Sequence, residues 1–108
     1  MTAPVMWKTG FIRMESIMVK EKFVMTDELG LHMRPAKNIC SIAVEYPCGI
    51  SLVSGSRTFN AKSVLGVLSA CIRYNDEFEI VCDGEKEEEA MNALKALADN
   101  NFNELSVK

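Results

Sequence analysis

Residues 50–61 read ISLVSGSRTFNA. Ile50 and Leu52 alternate with Ser51 and Val53, SGS breaks the pattern, and RTFNA resumes it in strand-like composition. The stretch therefore predicts a β-hairpin with Gly55 supplying the turn. It is the one point where two expected strands follow each other directly. Upstream, VKEKFVM puts Val19, Phe23 and Met25 on alternating positions, the pattern of a strand with one buried face. Ala36, Ile39, Cys40 and Ala43 then share one face at helical spacing, and Pro47 with Gly49 closes a helix expected over about residues 33 to 45. Downstream, SVLGVLSACI places Val64, Leu65, Leu68, Cys71 and Ile72 in a helical stripe, with Ser63 as its N-cap. EFEIVC alternates as a fourth strand. EKEEEAMNALKALADNNF opens with four glutamates, which suit the positive end of a helix dipole, and carries Met91, Leu94, Leu97 and Ala98 on one face.

The order is thus β-α-β-β-α-β-α, an α+β arrangement. Strands connected this way most economically form one four-stranded antiparallel sheet, with all three amphipathic helices laid on its single apolar face and the other face wet.

The 108 residues make one ordinary domain, with 48% apolar and 25% charged residues and a net charge of −3. That balance gives no general affinity for nucleic acid or anionic lipid. No apolar run approaches the ~18 residues of a membrane span, and the N-terminal stretch lacks a secretory h-region, so membrane insertion is not expected and the expected location is the cytoplasm. Residues 1–17 show neither alternation nor helical period and are read as a flexible N-terminal extension of a domain covering 18–108. Cys40, Cys48, Cys71 and Cys82 form no C-x-x-C and share a single histidine, so they are read as reduced, mostly buried thiols rather than a metal site.

That histidine lies in ELGLHMRPAKNI, residues 28–39. Pro35 fits the first turn of a helix, so the helix is expected to start at Met33 with His32 at or beside the N-cap. Ser, Asp or Asn would satisfy the free backbone donors of that end better than imidazole does. A histidine makes sense there if the ring is to become anionic. A neutral imidazole nitrogen is a competent nucleophile, and once phosphorylated it carries acceptor oxygens that a helix N-terminus and the guanidinium of Arg34 would hold.

G-L-H-M-R-P-A and N-A-K-S-V-L-G-V-L-S together resemble the HPr family, the phosphocarrier proteins of the bacterial phosphoenolpyruvate-dependent phosphotransferase system. The resemblance runs from about residue 18 to 103. It implies an open-faced β-sandwich. It also implies that His32 is phosphorylated on Nδ1 by enzyme I and dephosphorylated by an EIIA domain, with Arg34 steadying the phosphoryl group. Ser63 corresponds to the family's regulatory serine, the substrate of HPr kinase/phosphorylase in bacteria that possess it. Val64, Leu65 and Leu68 become candidates for the partner-docking patch, with Leu65 placed outward. The expected protein is a monomeric carrier rather than a free-standing enzyme, needing no metal or cofactor of its own.

Met33 departs from the small residue usual at its position, and Lys37 adds a charge on the same helix. Two other outputs fit the residues. The ending LADNNFNE, with Phe102, looks like the nitrogen-type branch, whose output is regulation rather than sugar transport. The other is a binding module that acts on transcription regulators through phosphorylated Ser63, but HPr-like proteins of that kind lack the active-site histidine.

Overall fold

The structure, a computed structural model, describes residues 18–103. Residues 1–17, assigned above to an extension, lie outside the described residues. The elements are β1 (Val19–Val24), α1 (Met33–Ala43), β2 (Gly49–Ser54), β3 (Arg57–Asn60), α2 (Val64–Ser69), β4 (Glu77–Asp83) and α3 (Glu87–Asp99). The strands form one sheet in the order β1-β4-β2-β3. Every neighbouring pair is antiparallel. This is the expected order and fold, an open sheet with the three helices on one side.

The alternation in the sequence becomes a two-sided sheet. Phe23, Ile50, Leu52, Phe78, Ile80 and Cys82 are buried beneath the helices. Lys22 and Val24, on alternate positions of β1, are exposed on the reverse. Facing the sheet, α1 contributes Ala36, Ile39 and Ala43, α2 contributes Val67, and α3 contributes Ala90, Met91, Leu94 and Leu97. α3 lies closest to the sheet, against β1 and β4, and α1 packs beside both α2 and α3. Phe102 completes the core, its ring 6.1 Å from that of Phe78. Ser54 pairs with Arg57 across the hairpin, and Gly55, at φ +62, opens its two-residue loop.

The second helix differs from its sequence reading. It ends at Ser69 and its inward residue is Val67, fully buried, whereas Leu65, expected to face outward, is indeed 75% exposed. The Ser63 hydroxyl accepts the Gly66 N–H, and a Cβ on Gly66 would come within 2.8 Å of the Asn60 carbonyl. These two constraints fix the rotation of a helix whose run VLGVLS carries too little polar contrast to fix it. Cys71, expected in the helical stripe, is exposed at φ +54, and Ile72 is buried beyond the helix. The thiols are correspondingly mixed: Cys48 and Cys82 are buried, Cys40 is half-buried and Cys71 is exposed. Of the four glutamates, Glu87, Glu88 and Glu89 occupy the first turn of α3 while Glu85 precedes it. The Glu87 carboxylate accepts the Gly84 N–H at 2.8 Å.

Candidate functional site

The segment leading into α1 is laid down by main-chain hydrogen bonds. Met25 N–H donates to the Asp76 carbonyl, Asn75 N–H to the Met25 carbonyl, and Leu31 N–H to the Ile72 carbonyl, at 3.0, 2.8 and 2.8 Å. The loop before α1 is thereby stitched to the loop before β4. Between these bonds the chain turns tightly: Gly30 N–H donates to the Asp27 carbonyl at 2.8 Å. Leu29 N–H donates to Asp27 Oδ1 at 2.9 Å, so the side chain closes a second turn inside the first. Gly30 is required where the turn meets the neighbouring loop. Its φ is +76, and a Cβ there would lie 2.7 Å from the Ile72 carbonyl oxygen.

His32 is the N-cap residue of α1, in extended conformation at φ −95 and ψ −166, and its side chain makes no capping bond. Its carbonyl accepts the Ala36 N–H at 3.0 Å, and Pro35 is buried in the first turn. The imidazole is therefore at the helix start, as its sequence position predicts, but it is turned toward Asp27 rather than over the free N–H groups. Nε2 of His32 lies 3.3 Å from Asp27 Oδ2, and Arg34 Nη2 donates to the same oxygen at 2.5 Å. Among the described residues, one carboxylate thus gathers both side chains marked out by the sequence. The side chain of Asp27 is 8% exposed, that of His32 32% and that of Arg34 57%. The Leu29 N–H holds the Asp27 carboxyl below its ordinary value, with Arg34 and His32 adding to the effect and burial opposing it.

An open depression of about 480 Å³ runs from the ring along α1, lined by His32, Met33, Arg34, Lys37, Asn38 and Ser41. Its cations and the helix start make it suited to an anionic group. No cluster of three or more His, Cys, Asp or Glu side chains able to hold a metal occurs among the described residues.

Ser63, Val64, Leu65 and Leu68 form a separate group on α2, which packs beside α1. Ser63 is the N-cap, its Oγ 3.1 Å from Gly66 N. Val64 and Leu68 are half-buried against the core, leaving Leu65 as the side chain of the three that projects into solvent. Cys40 Sγ donates to the Lys62 carbonyl and Lys62 Nζ to the Tyr46 carbonyl, tying the chain just before Ser63 to α1 and its exit. Asp27 was not legible as a site residue in the sequence. The signal that could have found it is the D-x-x-G spacing of Asp27 and Gly30, which marks a turn that brings the acid back toward the helix start.

An antiparallel open sheet covered by three helices, with a histidine at the first helix start and an arginine two residues on, is the open-faced sandwich expected of a phosphocarrier. The family model described as the PTS HPr component phosphorylation site matches residues 19–100, and the chain belongs to this HPr family of phosphotransferase-system phosphocarriers. The phosphocarrier protein HPr of Mycoplasma genitalium is 39% identical over 85 residues, which are 78% of this chain and 97% of that protein. That of Mycoplasma pneumoniae is 40% identical over 81 residues, 74% of this chain and 92% of that protein. Among solved structures, HPr of Thermoanaerobacter tengcongensis superposes with a TM-score of 0.75 at 27% identity, covering 82% of this chain and 99% of that one. No helix among the described residues is long and apolar enough to cross a membrane.

Proposed function

We propose that this chain accepts a phosphoryl group on Nδ1 of His32 from phospho-enzyme I and passes it to an EIIA domain. The Nδ1 lone pair attacks phosphorus, the N–P bond of the donor breaks as the new one forms, and the donor nitrogen recovers its lone pair. The reverse exchange on an acceptor histidine returns His32 to its starting state. Positioning and charge stabilisation carry such a step, and the partner supplies whatever the carrier does not. Arg34 is the mobile cation of the exchange: at 57% exposure its guanidinium has room to leave Asp27 for the phosphoryl oxygens. The observation that carries the proposal is the placement of His32 at the N-cap of α1 with Arg34 gathered beside it.

Ser63 is proposed as a regulatory phosphorylation site for HPr kinase/phosphorylase, with Val64, Leu65 and Leu68 forming the docking patch. A phosphate on Ser63 sits at its own helix start without strain. It acts by placing negative charge beside the apolar Leu65, where an acidic partner is repelled.

Intact-mass spectrometry after incubation with phosphoenolpyruvate, Mg²⁺ and enzyme I tests the carrier reading. One added phosphoryl group, lost on brief acid treatment and absent in His32→Ala, is expected. No addition to a folded chain with several enzyme I sources overturns it. Transfer onward to a sugar-specific or a nitrogen-type EIIA then separates the two outputs.

A further inference from the structure

We infer that Asp27 is the positioning residue of the phosphoryl-accepting histidine. Its Oδ2 takes the N–H of His32 Nε2, leaving the lone pair on Nδ1, and it holds Arg34 beside the ring until a phosphoryl group draws the guanidinium away. The inference rests on the carrier reading of His32 and adds to it the group that decides which ring nitrogen reacts.

The two oxygens of Asp27 divide their work. Closing the turn uses Oδ1, which accepts from Leu29, and the main-chain carbonyl, which accepts from Gly30. A residue that only shaped the loop would need nothing more. Oδ2 is free of that duty, and both of its contacts, with His32 Nε2 and Arg34 Nη2, are with the reacting site. The turn bonds also keep the carboxylate from rotating toward solvent, so Oδ2 is aimed rather than merely nearby.

A neutral imidazole carries one N–H, and the tautomer is set by what each nitrogen faces. An ionised carboxylate accepts and never donates, so the nitrogen facing Asp27 must bear the proton. Nε2–H leaves Nδ1 as the nucleophile without any proton having to move during attack. As the Nδ1–P bond forms, the ring becomes cationic, and the carboxylate against Nε2–H stabilises that charge in the way a triad aspartate stabilises its imidazolium. The 3.3 Å separation is long for a formed bond and is expected to shorten as the charge develops.

Asp27→Asn keeps an acceptor for the turn but puts an NH₂ where Oδ2 stands, reversing the polarity offered to Nε2. Long-range ¹H–¹⁵N correlation spectra of the His32 ring, at a pH where it is neutral, report the tautomer without any phosphorylation. The wild type is expected to be Nε2–H and Asp27→Asn to shift toward Nδ1–H. Single-turnover acceptance from phospho-enzyme I should fall about 10- to 100-fold, taking as a guide the loss seen when the hydrogen-bonding partner of a metal-ligating imidazole is removed. An Nδ1–H ring in the wild type overturns the inference even if the variant does not fold. So does a variant whose tautomer is unchanged and whose rate stays within twofold. Failure of the carrier reading looks different: the wild type then accepts no phosphoryl group, whatever its tautomer.

Discussion

Gly30→Ala should damage the protein at the turn that holds Asp27. A left-handed backbone at φ +76 costs an L-residue about 1–2 kcal/mol relative to glycine. The added Cβ would also stand 2.7 Å from the Ile72 carbonyl oxygen and 3.1 Å from Arg73 Cα, both backbone atoms that cannot swing aside. Relieving the contact means separating the two loops, which strains the Leu31–Ile72 hydrogen bond of 2.8 Å, a loss of ~0.5–1.5 kcal/mol. A Cβ stiffens the unfolded chain by ~0.4–1 kcal/mol in the opposite sense, leaving a net destabilisation of about 0.5–3 kcal/mol. Gly55→Ala is the matched control, because φ there is +62 and a Cβ would meet nothing within 4 Å. Urea denaturation of both variants separates backbone strain from steric contact. Gly30→Ala should be the more destabilised and should also lose phosphoryl-acceptance rate, since Asp27 moves with the loop. Equal stability of the two variants would refute the contact argument.

Leu52→Ala, at a fully buried position, should cost about 2–5 kcal/mol, whereas Leu65→Ala, at 75% exposure, should stay within ~0.5 kcal/mol and instead raise the KM for partner proteins. Denaturation midpoints and transfer kinetics check the two halves. The Asp27 carboxyl is held below its ordinary 3.8 in the folded state, so its contribution to stability is present above about that pH and is lost as pH falls through the folded value. Asp27→Asn should therefore flatten the acid limb of a stability-versus-pH curve, and an unchanged limb would count against the carboxylate's ionic role. Burial, with the neighbouring Cys48, pushes the Cys82 thiol up to about 12. Mass-resolved alkylation of the native protein near pH 8 should accordingly label exposed Cys71 first and leave Cys82 until unfolding.

How much was legible depended on contrast in the local sequence. The hairpin and the flanking strands could be read because apolar and polar residues alternate and Gly55 marks the turn. The start of α1 followed from Pro35, whose missing N–H fits the first helical turn. The inward residue of α2 did not, although Leu65 was expected outward: Val64, Val67 and Leu68 all suit a buried stripe, and the choice among them is made by the Ser63 cap and the Asn60 carbonyl. The contact of Cys48 with Cys82 arises only when β2 pairs with β4. Asp27 lies five and seven residues before its partners, beyond the reach of spacing rules until the turn at Gly30 folds it back.

The stitching of the loop before α1 to the loop before β4 runs through main-chain atoms, while Glu28, Leu29 and Tyr74 point outward from it, Leu29 at 78% exposure. The shape of the proposed transfer site and the surface around it are therefore written in different parts of the chain. If the imidazole is the proposed relay, side chains on this rim could be exchanged to suit a new donor or acceptor while it stays where it is, so one relay could acquire new clients without relearning its chemistry.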